Sequence, residues 1–176
     1  MEVVKTGISG VFILKSKIHK DKRGFFSEIY NKKKLDLKKI IFVQDNISYN
    51  KKSFTFRGLH YQKKPFTQSK IIRVEKGEIL DFIFDIRPKS KTYKKIITIK
   101  LNDKNLDQIF IPKGVAHGFL TVKPNTKVIY KVDEFYSKKH DSGYNVLDEI
   151  FKTKISKKKF ILSNKDLNLP FFSEKI

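Results

Sequence analysis

The 176 residues contain no Cys and no Trp, only one Met, eight Gly and five Pro. Without Cys there is no disulfide, no thiolate metal site and no thiol nucleophile. No apolar run approaches the roughly 18 residues that span a membrane. The segment "GVFIL" (10–14) is too short, and wrongly flanked, for a signal-peptide core. The expected compartment is therefore the cytoplasm. Acidic residues are scarce as well: 18 Asp and Glu stand against 39 Lys and Arg, a net charge of +21. That excess usually points to nucleic acid, an anionic membrane surface or a phosphorylated ligand. Yet arginine is also scarce. Only Arg23, Arg57, Arg73 and Arg87 are Arg; the other 35 basic residues are Lys, spread along the whole chain. Nucleic-acid readers use Arg for bidentate base contacts, so neither a nucleic-acid nor a membrane partner is expected. In so lysine-rich a chain, an arginine marks a place where a planar fork is wanted on phosphate or carboxylate.

What the sequence does hold is hydrophobic: 39% apolar residues, 13% aromatic, with 16 Phe. This is the composition of a globular chain, and the length suits one domain over residues 1–176. "NKKKLDLKKI" (31–40) is patterned for a short amphipathic helix. Most of the rest is patterned for strands. "SKIIRVEKGEILDFIFDIR" (69–87) has two apolar runs either side of a turn at Lys76–Gly77. "YKKIITIKL" (93–101) and "QIFIPKG" (108–114) predict further strands. "TKVIYKVDEFY" (126–136) sets Val128, Tyr130 and Val132 against Ile129, Lys131 and Asp133, so Lys131 is expected to point away from whatever Tyr130 faces. Short strands with turns every 8–12 residues predict a mainly β, antiparallel sandwich or barrel with a few short helices. Ser163 before Asn164 offers a cap for a brief final helix.

"IPKGVAHGF" (111–119) places His117 after a Pro112–Gly114 corner, which resembles the second motif of the cupin jelly roll. Metal-binding cupins carry His-x-His in their first motif. The matching place here reads His60-Tyr61-Gln62. Two histidines are too few for a metal, so a metal-free cavity is expected.

Seven blocks in order, "RGFFSEIY" (23–30), "QDNISYN" (44–50), "FRGLHYQ" (56–62), "QSKIIRVEKGEILDFIFDIR" (68–87), "IPKGVAHGF" (111–119), "IYKVDEFY" (129–136) and "ILSNKD" (161–166), together resemble the dTDP-4-dehydrorhamnose 3,5-epimerase family. The resemblance implies a cupin jelly roll, a homodimer, a dTDP-4-keto-6-deoxy sugar as substrate and no cofactor. Both C3–H and C5–H flank the C4 ketone, so each is acidified by enolate formation. The implied catalytic set is His60 as base, Asp166 as its carboxylate partner, Lys70 at the enolate oxygen and Tyr130 as the acid on the other face. The implied binding residues are Arg57 and Arg23 for the diphosphate, with Arg23 a candidate to reach in from a second subunit. Phe26 and Glu28 would lie near the base, Gln44 and Asn46 on nucleotide or phosphate, and His117 near sugar and diphosphate. Of Phe25 and Phe26, one is expected in the core. Arg73 and Arg87 are read as solvated surface.

The resemblance thins over "GYNVLDEIFKTKISKKKFILSNKD" (143–166). Family members carry a Trp-Asp-Asp-Pro-like stretch and a later Trp-Pro there, closing the cavity over the sugar; here Asp148 keeps one acidic position. Two alternatives therefore stay open: a 3- or 5-epimerase of another nucleotide-linked 4-keto-6-deoxy sugar, and a non-catalytic nucleotide-binding cupin. One local question also follows. On a regular strand Arg57 and His60 point to opposite faces, so reaching one ligand together requires a bend or bulge, expected at Gly58.

Overall fold

A computed structural model of the chain describes residues 1–35, 40–151 and 160–173. The alternating segments become strands of two antiparallel sheets. The six-stranded sheet runs β1 (Glu2–Lys5), β2 (Phe12–Lys15), β10 (Gln108–Ile111), β7 (Lys70–Lys76), β12 (Thr126–Val132), β5 (Gln44–Asn50). The five-stranded sheet runs β13 (Asp141–Gly143), β6 (Phe56–Gln62), β11 (Val115–Thr121), β8 (Glu78–Asp85), β9 (Ile96–Asn102). A separate ribbon pairs β3 (His19–Asp21) with β4 (Gly24–Phe26). The helical part is slight: a 3₁₀ turn, Glu149–Phe151, and α1, Asn164–Leu167. The expected turn at Lys76–Gly77 passes the chain from β7 in one sheet to β8 in the other, rather than closing a hairpin within one sheet.

Why the strands differ in pattern follows from what covers each face. Between the sheets, Ile72 and Val74 of β7, Ile79 and Ile83 of β8, Ile109 and Ile111 of β10 and Val128 of β12 interdigitate. The outer face of the five-stranded sheet is covered too. There Phe56, Phe82, Phe84, Ala116 and Leu120 pack under Tyr144, Val146, Phe151 and Phe172. Strands β8 and β11 are thus buried on both sides, so apolar residues fall on both of their faces and the polar ones among them, such as Asp81, Asp85 and His117, are buried too. Each such fully buried side chain contributes about 1.5–3 kcal/mol. On β5 one face is open, and burial alternates.

Several expectations meet the structure differently. The described part of 31–40 is a turn, because the Asn31 side chain accepts from the Lys33 amide at 3.0 Å and closes the chain locally; residues 36–39 lie outside the described residues. Both Phe25 and Phe26 are exposed, at 60% and 70%, since the β3–β4 ribbon pairs with neither main sheet. Arg87 is not solvated surface. Its Nε and Nη2 grip the buried Asp85 at 2.8 Å each, and Nη2 also donates to Ser9 O at 2.7 Å. Asp148, the acidic position kept in the thin stretch, is buried and accepts from Phe172 N at 2.5 Å and Ser173 N at 3.0 Å, bracing that segment. The Ser163 cap forms as expected, its hydroxyl accepting from Asp166 N at 3.1 Å. Among the described residues no helix is long and apolar enough to cross a membrane.

Candidate active site

The inward-facing series that builds the core also builds a cavity. On β7, Ile72 and Val74 enter the core while Lys70 enters the cavity; on β12, Val128 and Tyr130 divide the same way. The cavity measures ≈ 460 Å³ and is lined by Arg57, His60, Lys70, His117, Tyr130 and Asp166, among others. A second lobe of ≈ 360 Å³ shares His60, Lys70 and Tyr130 and adds Gln44, Asn46, Tyr136 and Asp141. Both volumes suit a small organic ligand. Lys131 lies outside both lobes, bonded to Asp45 at 2.8 Å, as its alternation with Tyr130 required.

Arg57 and His60 reach one cavity through a bulge. Across β11, His117 pairs with His60 but Phe119 pairs with Arg57, so three steps on β6 match two on β11. Gly58 sits in the extra step with φ +125°, and a Cβ there would collide with the Gly118 backbone and lie 2.8 Å from the His117 carbonyl. No side chain fits that position.

Two histidine–carboxylate pairs face the cavity. His60 Nε2 lies 2.6 Å from Asp166 Oδ1. Burial pushes the Asp166 carboxyl up, but its bonds with His60 and Ser163 and the positive charge nearby outweigh this and hold it below the usual carboxylate range. His117 Nε2 lies 2.5 Å from Asp81 Oδ1. Asp81 is fully buried; burial raises its pKa against the opposing pull of His117, and its Oδ2 has no hydrogen-bond partner among the described residues. The Lys70 side chain forms no hydrogen bond or ion pair among the described residues. Burial lowers its pKa to about 8, against the charges of Asp141 and Asp81. Tyr130 is raised, chiefly by burial, so its phenol stays protonated through neutral pH.

Of the residues singled out in the sequence, His60, Asp166, Lys70, Tyr130, Arg57, His117, Gln44 and Asn46 converge. Arg23, Phe26 and Glu28 do not. Arg23 projects from the ribbon, tied to Asp21 at 2.7 Å, and Glu28 is held by Lys34 at 2.8 Å and Asn31 at 3.0 Å in a different hollow that Phe26 also lines. The ribbon's own placement outside the two sheets keeps all three from this chain's cavity. Three residues were missed: Asp81, and the pair Asp141 and Lys165, which bond to each other in the second lobe with Tyr136 OH on Asp141 at 2.9 Å. Asp81 left one legible trace, a carboxylate inside the apolar run "EILDFIF". Among the described residues no cluster of three or more His, Cys, Asp or Glu is arranged for a metal ion.

What the geometry offers is proton transfer: an imidazole backed by a carboxylate, a cation with no side-chain partner among the described residues, and a buried phenol. The comparisons with known proteins agree with that chemistry. Residues 5–174 match the dTDP-4-dehydrorhamnose 3,5-epimerase family. The enzyme of that name from Shigella flexneri is 39% identical over 171 residues, covering 96% of this chain and 94% of that one. A crystal structure of the Bacillus anthracis str. Ames enzyme with TDP and PPi bound superposes with a TM-score of 0.93 at 43% identity, covering 97% of this chain and 99% of that one. The Legionella pneumophila Philadelphia 1 enzyme, in complex with dTDP-4-keto-L-rhamnose, superposes with a TM-score of 0.90 at 32% identity, covering 98% and 93%. A jelly roll of this topology, a cavity of this chemistry and a match over nearly the whole length lead to one conclusion: the chain belongs to the dTDP-4-dehydrorhamnose 3,5-epimerase family, enzymes of the isomerase class.

Proposed function

We propose that this chain converts dTDP-4-dehydro-6-deoxy-D-glucose to dTDP-4-dehydro-L-rhamnose by inverting C3 and C5 in turn. The observation that carries the residue roles is the placement of His60 and Tyr130 on different sheets across one cavity, with Lys70 lining it as well. His60, steadied by Asp166, takes the proton from one ring face. Electron density moves onto the C4 oxygen, where the Lys70 ammonium stabilises the enolate. The Tyr130 phenol returns a proton from the opposite face, which inverts the centre. The substrate already carries its ketone, so no redox cofactor enters. Arg57 and His117 would take the diphosphate, and Gln44 and Asn46 the nucleotide side of the second lobe. The nucleotide and sugar-nucleotide ligands of the two solved relatives support that assignment.

The exposed ribbon fits a homodimer. Arg23 and Phe26 stand clear of their own cavity, and Ile47 and Tyr49 on the neighbouring sheet face are 62% and 54% exposed. A second copy lying there would receive the ribbon at its own cavity. We take residues 1–176 as one unit, acting in the cytoplasm without nucleic acid or membrane as partner.

The test is solvent exchange. In D2O, NMR should show deuterium entering C3 and C5 of the ketosugar. Exchange at one carbon only would assign a single-centre epimerase, and exchange at neither would refute the reading. For the dimer, mixing Arg23→Ala and His60→Ala subunits should restore activity through hybrid sites; no restoration would count against the shared cavity.

A further inference from the structure

Arg57 does not hang loose in the cavity. Its Nε donates to Oδ1 of Asn50 at 2.7 Å, and Nη2 stands 3.5 Å from the Tyr49 carbonyl. Asn50 closes β5 and is only 2% exposed. Its own amide is fixed from behind. Nδ2 donates to the Thr126 carbonyl at 3.2 Å and lies 3.3 Å from Ser48 Oγ. A carbonyl accepts only, so Thr126 must face the amide nitrogen, and Oδ1 is left to face Arg57. A buried β5–β12 contact therefore sets the acceptor, and the acceptor sets the guanidinium.

We propose that Asn50 is a positioning residue for anion recognition. It takes the Nε of Arg57, with one Nη2 hydrogen resting toward the Tyr49 carbonyl, so that the remaining N–H groups of the two Nη nitrogens are presented to the cavity as a fork for the diphosphate of a nucleoside diphosphate. An arginine held this way loses less freedom on binding, and its planar fork arrives already oriented. The Gly58 bulge delivers Arg57 to the cavity wall; Asn50 decides which nitrogens face inward. This inference rests on the reading of Arg57 as a diphosphate contact.

A double-mutant cycle separates the two. Asn50→Ala should raise the Kd for free dTDP and the KM for the sugar nucleotide about tenfold, the loss of one hydrogen bond to a charged group. Its kcat should stay within about threefold, because the base and acid are untouched. In an Arg57→Ala background, Asn50→Ala should weaken dTDP binding no further, since Asn50 has nothing left to aim. If the two effects simply multiply, or if kcat falls along with binding, the positioning role is wrong. If Arg57→Ala alone binds dTDP like the parent protein, the diphosphate assignment fails instead. Should Asn50→Ala not fold, Asn50→Val, suited to a strand and lacking the acceptor, gives the same cycle.

Discussion

Nε2 of His60 and Oδ1 of Asp166 meet at 2.6 Å although 106 residues separate them in the chain. His60 comes from the middle of a sheet; Asp166 comes from a four-residue helix capped by Ser163. The carboxylate is 5% exposed at its side chain and the imidazole 29%, so the pair has a buried end and an open end. That asymmetry leaves the ring's other face to the cavity.

Removing the carboxylate should cost turnover, not the fold. Asp166→Asn keeps the shape and loses the charge that supports the imidazolium. Its kcat should fall by about 10²–10⁴-fold, the range for a lost general base, with His60→Ala at least as low. Combining the two should add little, because the pair acts as a unit. Steady-state rates and circular dichroism decide this; full additivity would contradict a dyad.

Tyr130→Phe should separate the two half-reactions. Proton abstraction by His60 does not need the phenol, so solvent deuterium should still enter the substrate within about tenfold of the parent rate. Net inversion should drop by about 10²-fold or more. NMR of the recovered sugar, scored for label and for configuration, reads both. Loss of labelling together with inversion would assign Tyr130 another role.

Lys70 sets an alkaline limit. Its pKa of about 8 lies below the usual lysine value, so its charge is lost as pH rises through 8. The kcat profile should fall on that limb, and Lys70→Arg should move the limb upward. Stability runs the opposite way. Between pH 8 and the unfolded value near 10.5 the unfolded chain binds more protons, so the lysine's penalty on folding shrinks as pH rises. Lys70→Met should thus abolish turnover yet raise Tm at pH 7. A lowered Tm would mean that Lys70 is held by contacts rather than tolerated for function.

Asp85 governs acid stability without touching the cavity. Burial would raise its pKa, but Arg87, Ser90 and Thr92 more than offset this and the value is strongly depressed. A depressed carboxyl contributes stability above its unfolded value near 3.8, and that contribution is lost as pH falls from there through the folded value. Arg87→Ala should lower Tm at pH 7 and flatten the loss of Tm below pH 4, with kcat unchanged. A Tm difference that persists undiminished into acid would exclude this linkage.

How much of this was legible beforehand depended on whether a signal was local. Alternation separated Tyr130 from Lys131, and the parity of "FRGLHYQ" required a bulge that β6 contains. Order of motifs carried the converging set from His60 to Asp166. Pairing across strands left no such trace. Asp81 and Asp85 share one strand, one parity and full burial, yet one meets His117 and the other Arg87. The partner of Asp81 lies 36 residues away on β11, so nothing beside Asp81 in the chain marks the pair; Arg87 stands only two residues past Asp85, and that local pairing was there to read. Asn50 was hidden as Asp81 was, its anchor at Thr126 lying 76 residues away. The ribbon failed differently: "GFF" has the apolar content of a core strand, and only its lack of pairing with either sheet leaves Phe25 and Phe26 in the open.

The bulge has a consequence for how this sequence is free to change. A Cβ on Gly58 would strike Gly118, and a Cβ on Gly118 would lie 2.8 Å from the Arg57 carbonyl and 3.0 Å from the Gly58 Cα. Each glycine leaves room for the other strand, so neither position can drift while its opposite stays as it is. Substituting both does not relieve the crowding either, since each new methyl meets backbone rather than a side chain that can yield. Sixty residues apart in the chain, the two behave under mutation as a single site, locked from both sides.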